Sequence, residues 1–401
     1  MRILFLTHRL PYAPNRGDRV RAYHILRHLA SYAQVDLVSL VHDDKEASHA
    51  GDLASFTSSV TVVRVPRLRN MVMSGLRLPT RRPTTHSMLD APELTPAIAR
   101  VVGRNRPDLV FAYCSGLAHV VFQPPLRDLP LVVDMVDVDS EKWADLAGVT
   151  KPPLSWIYAR EARRLAVFEA ALAHKAKVTF ITTEHERQAL LRLAPDARVE
   201  VIQNGVDVEA LRPPGPPATS ANVVFCGVMN YPPNEEGAIW LVKEVWPLVR
   251  AVRPDARLQL VGASPSKVVQ ALAAADIEVT GSVPDVRPYL WGAAVSVAPL
   301  QRARGVQNKV LEATAAGLPV VVTTVVLAGL PTELQDLVQV ADTPPEMAQA
   351  IFTLLGSPGP TRIVAEQLQW APQLSTISDL LRRSLETRNG LASPATSSAG
   401  T

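Results

Sequence analysis

Short apolar segments alternate along the chain with longer segments whose apolar residues recur every three to four positions. The short segments predict buried strands and the longer ones predict helices, which together give the βαβ pattern of a parallel, doubly wound sheet. In the first half the predicted strands cover residues 3–7, 35–40, 60–65, 109–112, 131–135 and 178–182, and the predicted helices cover 18–32 and 153–175.

The same pattern starts again after a proline-rich stretch, RPPGPPATSA at 212–221. Its four prolines and one glycine exclude a helix or a central strand, so the stretch predicts a connection between domains. We therefore expect one α/β domain at 1–207, a second at 208–372 and a disordered tail at 389–401. In the second domain the predicted strands cover 223–226, 258–261, a segment around 279, 295–298 and 320–323, and the predicted helices cover 235–252, 266–274 and 307–316.

Length and composition agree with a two-domain globular protein. The chain has 401 residues, of which 47% are apolar and 20% charged. No apolar run approaches the roughly 20 residues of a membrane-spanning helix, and the first residues predict a strand and not a signal peptide. The two cysteines, Cys114 and Cys226, lack a disulfide or zinc pattern, which favours the cytoplasm. A net charge of +3 argues against a nucleic-acid binder.

Positive charge is concentrated in residues 64–82, where six arginines and no acidic residue are interleaved with apolar side chains. Two interpretations are open. The segment is either a surface that settles on anionic lipid, with each arginine contributing about 1 kcal/mol, or a solvated basic loop. The arginines are Arg64, Arg67, Arg69, Arg77, Arg81 and Arg82, and the apolar residues are Leu68, Met71, Val72, Met73, Leu76 and Leu78.

The segment 305–322, GVQNKVLEATAAGLPVVV, predicts a helix that leads into a buried strand. Gly317 and Pro319 end the helix, and the consecutive valines after them predict the strand. At the other end, the first N–H groups, around 305–308, have no partner within the helix and carry partial positive charge. The amino end of this helix therefore predicts an anion site.

Charged side chains near this helix support the same hypothesis. Arg302, Arg304 and Lys309 add positive charge at its amino end, and Glu312 is the acidic residue of the segment. A phosphate ester with attached hydroxyl groups would suit amides and cations together with a carboxylate. An ordinary surface helix with solvated basic residues is the alternative.

Other polar residues follow predicted strands, where open α/β sheets bind their ligands. Gly17 and Asp18 open a helix after the first strand, in HRLPYAPNRGD. The acidic sequence DMVDVDSEKW overlaps the end of the strand at 131–135, and IQNGVD at 202–207 makes a turn after a further strand.

These segments, in this order, resemble a glycosyltransferase of the GT-B fold and the family 4 type. The resemblance covers about residues 1–383, and its most specific part is the pair IQNGVD and LEATAAGLPVV at their separation. The sequences LPYAPNRGDRVRAYHILRHLA, VDMVDVDSEKW, GVMNYPPN and GVQNKVLEA are closer still to bacterial sugar transferases of exopolysaccharide systems, the group associated with PEP-CTERM and exosortase.

The resemblance implies two Rossmann-like domains that face a central cleft, with a last helix at about 373–388 that crosses back onto the first domain. An amphipathic cap on the second domain is the alternative for this helix. The second domain would hold a nucleotide-diphosphate sugar, and the first would present the acceptor hydroxyl. The implied reaction retains the anomeric configuration, with the leaving diphosphate helping to deprotonate the hydroxyl that attacks on the same face.

On the donor side, the resemblance assigns Glu312 to the ribose hydroxyls. Arg304 stands where most family members have the first glutamate of a pair, and an arginine there would lie against the diphosphate. The family also places two basic residues where this chain has GVMNYPPNEEGAIW, so Arg302, Arg304 and Lys309 are candidates to supply that charge. The donor-binding residues are thus expected to be Gly17, Asp18, Asn230, Thr280, Gly281, Val283, Arg302, Gly305, Val306, Gln307, Asn308, Lys309 and Glu312.

Two of these assignments have simpler explanations. Residues 280–283, which resemble the loop that meets the base, also fit a plain turn. Asp18 also fits a helix N-cap without a chemical role.

On the acceptor side, many family members place a histidine after the strand at 131–135, where this chain offers acidic residues. We expect Asp137, and after it Asp139, to orient the acceptor hydroxyl, with Arg304 as the third catalytic residue. Because amides and cations already serve a diphosphate, we expect no metal and no other cofactor.

The expected partners are a nucleotide-diphosphate sugar, a lipid-linked saccharide and an anionic membrane surface, without nucleic acid. The expected location is the cytoplasm, on the inner face of the plasma membrane. Two other functions stay open. Arg304 in place of glutamate leaves room for a GT-B protein that binds a sugar nucleotide without transfer in a polysaccharide assembly complex. A GT-B epimerase would need catalytic acids that the sequence does not clearly show.

Overall fold

The structure is a computed structural model that describes residues 1–12, 17–215, 220–356 and 368–389, except for the side chains of residues 17–18 and 383–389. The chain forms two compact units. One contains Met1–Ile202 and the chain from Gln373 onward, and the other contains Gln203–Pro372. Each unit is built on one parallel sheet.

The first unit alternates strands with helices. Its elements in chain order are β1 Arg2–Thr7, α1 Gly17–Ala30, β2 Gln34–Val41, α2 Asp44–Ser48, α3 Ala50–Ala54, β3 Ser59–Arg64, α4 Arg67–Leu76, α5 Thr84–Met88, α6 Leu94–Arg104, β4 Leu109–Tyr113, a 3-10 helix Ala118–Phe122, β5 Leu131–Val136, α7 Asp139–Val149, α8 Leu154–Lys175, β6 Val178–Ile181, α9 Glu184–Leu193 and β7 Val199–Val201. The sheet order is β3-β2-β1-β4-β5-β6-β7. The order reverses between β1 and β4, so a crevice forms beyond the carboxyl ends of these two strands.

The second unit repeats this arrangement with six strands. Its elements are α10 Val208–Leu211, β8 Asn222–Cys226, α11 Pro232–Trp240, a π-helical turn Leu241–Val245, α12 Trp246–Val252, β9 Arg257–Val261, α13 Lys267–Gln270, β10 Ile277–Gly281, α14 Arg287–Trp291, β11 Val295–Ala298, α15 Asn308–Ala315, β12 Val320–Val322, α16 Thr324–Leu327, α17 Thr332–Gln335, β13 Val338–Val340 and α18 Pro344–Gly356. The sheet order is β10-β9-β8-β11-β12-β13, which reverses between β8 and β11. A final helix, α19 Trp370–Asn389, starts in this unit and belongs to the first from Gln373 onward.

The central strands are buried on both faces, as a parallel sheet covered by helices requires. Leu4 and Leu6 of β1 are completely buried in the core cluster on one face. On the other face Phe5 stacks on Phe111 of β4, with ring centroids 5.1 Å apart. The predicted fold class, two Rossmann-like α/β domains with parallel sheets, is confirmed.

The chain passes from the first unit to the second between Ile202 and Gln203, before the proline-rich stretch at 212–221. That stretch lies inside the second unit because α10 already packs there. Trp291 donates from Nε1 to the carbonyl oxygen of Leu211 at 2.8 Å. Residues 216–219 of the stretch, and the part of the expected tail beyond Asn389, lie outside the described residues.

The sequence pattern did not predict the helices between β3 and β4. Here α4, Arg67–Leu76, covers part of the arginine-rich segment, so this part is a helix and not a loop. The side of α4 that packs on the protein is polar. Asn70 is completely buried and donates from Nδ2 to the carbonyl oxygens of Met88 and Asp90, at 2.9 and 2.7 Å. A helix with polar residues inside lacks the apolar inner stripe that marks helices in a sequence.

Buried glutamates hold several loops of the first unit through backbone amides. Each of these glutamates is at most 2% exposed, and each accepts at least one hydrogen bond from an N–H group 29 or more residues away in the sequence. Bonds of this kind to an ionised carboxylate are stronger than those between neutral groups, whereas Glu169, with its pKa raised to about 8, accepts as a neutral acid at neutral pH. The bonds run from Leu10 and His42 to Glu46, from Thr84 and Thr85 to Glu161, from Ser140 to Glu169, and from Val138 to Glu186.

Two strand ends of the second unit meet backbone to backbone at a glycine. Gly262, which follows β9, has φ +147°, and a Cβ atom there would lie 1.7 Å from the carbonyl oxygen of Gly227, which follows β8. Only glycine tolerates both the conformation and the contact.

We expect Gly262→Ala to lower the thermal unfolding midpoint by several degrees, because backbone strain alone costs about 1–3 kcal/mol and the methyl group also displaces the loop after β8. Gly103→Ala in α6 is the matched control, since nothing lies within 4 Å of a Cβ atom there. Scanning calorimetry of both variants checks the prediction. Equal midpoints for the two variants would contradict it.

A second prediction concerns Glu169. Burial, to which the negative charge of Asp139 adds, raises the pKa of Glu169 from 4.5 to about 8. The folded protein thus keeps this carboxyl group protonated at pH values where the unfolded chain has ionised it. Its contribution to stability is complete below pH 4.5 and is lost as the pH rises to about 8.

Glu169→Gln keeps an oxygen for the Ser140 N–H group but cannot ionise. We expect its stability relative to the parent protein to grow between about pH 5 and 8, by at most ~1.4 kcal/mol per pH unit, and then to level off. Thermal denaturation across this range measures the difference, with exposed Glu333→Gln as the control for the loss of one carboxylate. A difference that stays constant with pH would rule the explanation out.

Candidate functional site

The amino end of α15 lies after β11, one of the two strands at which the second sheet reverses. Gln307 occupies the cap position, but its side chain makes no capping bond to the helix. It donates instead from Nε2 to the carbonyl oxygen of Arg304 at 2.9 Å. The first amides of α15 therefore present partial positive charge without a side-chain cap.

Lys309, in the first turn of α15, connects the two loops at this reversal. Its Nζ donates to Oδ1 of Asn234 at 2.5 Å and lies 4.9 Å from the ring centroid of Phe225 in β8. Asn234 lies near the start of α11, and its Nδ2 donates to the carbonyl oxygen of Val228 at 3.0 Å. The loops after β8 and β11 are therefore held together by one cation and one amide.

Glu312 lies three residues after Lys309 on α15, and the two charges influence each other. Burial raises the pKa of Glu312 to about 7 and lowers the pKa of Lys309 to about 8. Their mutual attraction opposes both shifts. Both groups therefore titrate close to neutral pH, where an anion beside Lys309 would favour its charged form.

The other predicted cations differ in their surroundings. Arg302 forms an ion pair with Glu236 of α11, and its Nε donates to Oε2 at 3.1 Å. Glu236 therefore neutralises part of the positive charge that we expected Arg302 to offer to an anion. Arg304 is partly exposed in the loop between β11 and α15. Gly305 in the same loop has φ +63°, and Val306 packs against the core of the unit.

Two separate parts of the sequence resemblance meet at α15. Asn204, from IQNGVD, donates from Nδ2 to Oδ1 of Asn308, the first residue of the helix, at 2.9 Å. Gly205 packs against the backbone of Trp370, where a Cβ atom would lie 2.5 Å from its Cα atom. We did not include Asn204 or Asn234 among the candidate residues, although both lie in the sequences GVMNYPPN and IQNGVD that carry the resemblance.

The remaining donor candidates lie around the same edge of the sheet. Thr280 and Gly281 end β10, the edge strand, and Oγ1 of Thr280 accepts from the N–H group of Gly262 at 3.4 Å. Asn230 is exposed in the loop after β8, and Val283 packs against the core. Contacts between neighbouring loops therefore link the carboxyl ends of the strands, from β10 through β9 and β8 to β11.

In the first unit, the acidic residues after β5 lie in a loop with unusual backbone geometry. Val136 has φ +68°, which is rare for a β-branched residue and is typical of functional sites. Asp137 accepts from Oγ1 of Thr182 at 3.0 Å, and Asp139 accepts from Oγ of Ser115 at 2.8 Å. Burial raises the pKa of Asp137, to which the charge of Asp139 contributes.

A third acid of this sequence has a structural partner. Asp134 is completely buried, and Arg21 of α1, 1% exposed, forms an ion pair with it at 2.8 Å. The same guanidinium donates from Nη1 to the carbonyl oxygen of Ile202 at 2.8 Å. The sequence did not indicate this pair, because its members are more than a hundred residues apart.

The reversal of the first sheet is lined by aromatic rings. His8, after β1, stacks on Tyr113, at the end of β4, with ring centroids 6.2 Å apart. Cys114 follows with φ +67°. Of the predicted residues in this region, Gly17 and Asp18 begin α1, and their side chains lie outside the described part of the chain.

The two sheets differ in what their strand-end amides contact. In the first unit, Glu186 and Glu169 accept hydrogen bonds from the N–H groups of Val138 and Ser140 at the start of α7. In the second unit, the side chain at the cap position of α15, Gln307, makes no capping bond. The second unit therefore offers an anion the N–H groups that the first unit has already used.

No three or more His, Cys, Asp or Glu side chains lie together as a metal site in the described part of the chain. None of the helices within the described ranges is long and apolar enough to span a membrane.

Comparisons with known proteins agree with this geometry. Residues 16–205 match the family described as glycosyl transferase 4-like domain, and residues 220–357 match glycosyl transferases group 1. No curated protein sequence gives a significant match.

Several solved structures share the fold at low sequence identity. Sucrose-phosphate synthase from Thermosynechococcus elongatus aligns with 96% of this chain and 100% of its own, with a TM-score of 0.70 and 17% identity. Anabaena HepE, in complex with UDP and glucose, aligns over 96% and 100%, with a TM-score of 0.65 and 15% identity. TarM from S. aureus aligns over 94% and 98%, with a TM-score of 0.66 and 10% identity.

The two family matches together cover most of the chain, one on each of its two parallel-sheet units. The protein is a glycosyltransferase of the GT-B fold, with a glycosyl transferase 4-like domain followed by a glycosyl transferases group 1 domain.

Proposed function

We propose that this glycosyltransferase moves a sugar from a nucleotide-diphosphate sugar to a hydroxyl group of a lipid-linked saccharide, with retention of configuration. The proposal places the reaction in exopolysaccharide synthesis, at the cytoplasmic face of the membrane. The observation that carries its donor side is the uncapped amino end of α15, with Lys309 in its first turn, at the reversal of the second sheet.

The diphosphate would meet the first amides of α15 together with Lys309 and Arg304. Negative charge that develops on the leaving group is stabilised best by donors that are already in position. Asn234 and Phe225 fix Lys309 in this way. Glu312 would accept hydrogen bonds from the ribose hydroxyls, and binding of the diphosphate would keep Lys309 protonated. No metal is needed in this proposal, because amides and cations supply the positive charge.

On the acceptor side, Asp137 and Asp139 would orient the incoming hydroxyl group. Thr182 and Ser115 each donate to one of these carboxyl groups and hold it in place. In a retaining transfer, an oxygen of the leaving diphosphate takes the proton of the hydroxyl on the face where the donor bond breaks. The protein then contributes position and charge stabilisation.

HepE was crystallised with UDP and glucose, so UDP is the first nucleotide to test here. We expect Lys309→Met and Arg304→Gln each to weaken UDP binding about tenfold, since one charge-assisted contact contributes ~1.4 kcal/mol. Arg302→Gln should weaken it less, because Glu236 already offsets that charge. Calorimetric titration, preceded by a thermal-shift screen of uridine and guanosine nucleotides, measures these affinities.

Lys243→Met, at an exposed position of the π-helical turn, is the matched control for the loss of one cation. It should bind the nucleotide as the parent protein does. Unchanged affinity in all three site variants would remove the proposed diphosphate site.

The reaction itself is tested with the nucleotide sugar found in the screen and a lipid extract that contains saccharide acceptors, in buffer with EDTA. We expect transfer with retained anomeric configuration by NMR. Asp137→Asn should lower kcat about 100-fold while donor affinity stays unchanged.

Each other result points to a different function. Donor binding without transfer would identify a non-catalytic sugar-nucleotide protein, and conversion of the donor to its epimer would identify an epimerase. Loss of transfer on addition of EDTA would contradict the metal-free donor site.

A further inference from the structure

Helix α4 exposes an apolar stripe made of Leu68, Met71, Val72 and Leu76. These side chains are 81%, 54%, 65% and 68% exposed. Their spacing places them on one side of the helix, over an arc of about 140° at 100° per residue. Four large apolar side chains in one stripe are unusual on a soluble surface and indicate an interaction site.

The opposite side of α4 is the side that packs on the protein, and it is polar. Asn70 is completely buried and donates to carbonyl oxygens at the end of α5 and just after it, and Ser74 is 8% exposed. In a soluble protein the apolar side of a surface helix packs inward. The helix is thus fixed to its unit by hydrogen bonds and presents its apolar side outward.

Arginines border the apolar stripe on both sides. Arg67 and Arg69 are exposed, and at 100° per residue they fall on opposite borders of the stripe. Long basic side chains in these positions can contact headgroups while their stems lie along the apolar surface. Charge and apolar area are therefore arranged as in a helix that lies in a membrane interface.

Asp90 forms ion pairs with three arginines in and after this helix. Arg77 and Arg82 lie 3.2 and 3.1 Å from its carboxylate oxygens, and Arg69 lies 3.5 Å away. Burial raises the pKa of Asp90, but Arg82 and Arg77 outweigh burial and lower it. One carboxylate thus fixes three cations, and the local charge stays positive.

A tryptophan belongs to the same region of the first unit. Arg160 of α8 donates from Nη2 to the carbonyl oxygen of Thr80, in the segment after α4, at 2.6 Å. Trp156 precedes Arg160 by about one helical turn and is 70% exposed. Tryptophan is enriched where membrane and water meet, because its ring has an apolar body and a polar edge.

We propose that the apolar stripe of α4 inserts among the headgroups of an anionic lipid bilayer, with the bordering arginines on the lipid phosphates. Lipid fits this surface better than a protein partner does, because a positive border on both sides matches a uniformly negative plane. The inference deepens the proposed function and rests on it for the location of the acceptor.

Vesicle sedimentation of the full-length protein tests this inference. The vesicles contain phosphatidylcholine with or without phosphatidylglycerol, and neither donor nor acceptor. We expect binding to the anionic vesicles, at least tenfold weaker binding to the neutral ones, and weaker binding as the salt concentration rises. Leu68→Gln/Leu76→Gln should lower binding to anionic vesicles at least tenfold, because both side chains point away from the protein core.

Val252→Gln/Val268→Gln is the matched control, since these residues of the second unit are 57% and 50% exposed. It should bind vesicles as the parent protein does, and both double variants should bind nucleotide normally. Normal nucleotide binding separates failure of this surface from failure of the donor site.

Three results would overturn the inference. The first is equal vesicle binding by the parent protein and Leu68→Gln/Leu76→Gln. The second is binding to native membranes but not to protein-free anionic vesicles, which would assign the stripe to a protein partner. The third is a dimer in solution that the Leu68→Gln/Leu76→Gln variant dissociates, which would assign the stripe to a second copy of the chain.

Discussion

Backbone N–H groups at the carboxyl ends of parallel strands need partners, and this protein satisfies them differently in its two units. In the first unit, buried carboxyl groups of Glu46, Glu169 and Glu186 accept from amides that follow β1, β2 and β5. In the second unit, Gln307 at the cap position of α15 leaves the first amides of the helix without a bond from its side chain. The same fold therefore gives one sheet in which carboxyl groups hold several strand-end amides and one sheet in which the first amides of α15 are offered to a ligand.

In the reaction that we propose, this difference lets one architecture serve two roles. A donor diphosphate needs amides and cations, and the second unit concentrates them at the reversal of its sheet, with Lys309 held by Asn234 and Phe225. An acceptor hydroxyl needs hydrogen-bond acceptors, and the first unit presents Asp137 and Asp139 beside a strained residue, Val136. Strain of this kind persists only where the surrounding structure fixes it, as Thr182 and Glu186 do here.

The apolar stripe of α4 follows from the same need to satisfy buried polar groups. Asn70 fixes the helix through two carbonyl oxygens, so the helix does not need apolar side chains on its inner side. Its apolar residues are then available for contact outside the molecule, bordered by arginines whose positions Asp90 helps to set. Polar anchoring and outward apolar area together give an apolar surface that is attached to its unit by hydrogen bonds.

The sequence by itself determined the two parallel sheets, because continuous apolar strands such as β1 and β12 and the helices between them follow from local pattern and burial. It also placed the candidate residues after strands, where topology brings loops together. Only the tertiary structure decided which charged side chains have a partner of opposite charge. The pairs Arg21 with Asp134 and Arg302 with Glu236 join residues far apart in the chain, as do the glutamates that occupy strand-end amides. It also decided which side of α4 faces the protein. The buried side is polar, which is the reverse of the pattern by which a sequence normally indicates a buried helix face.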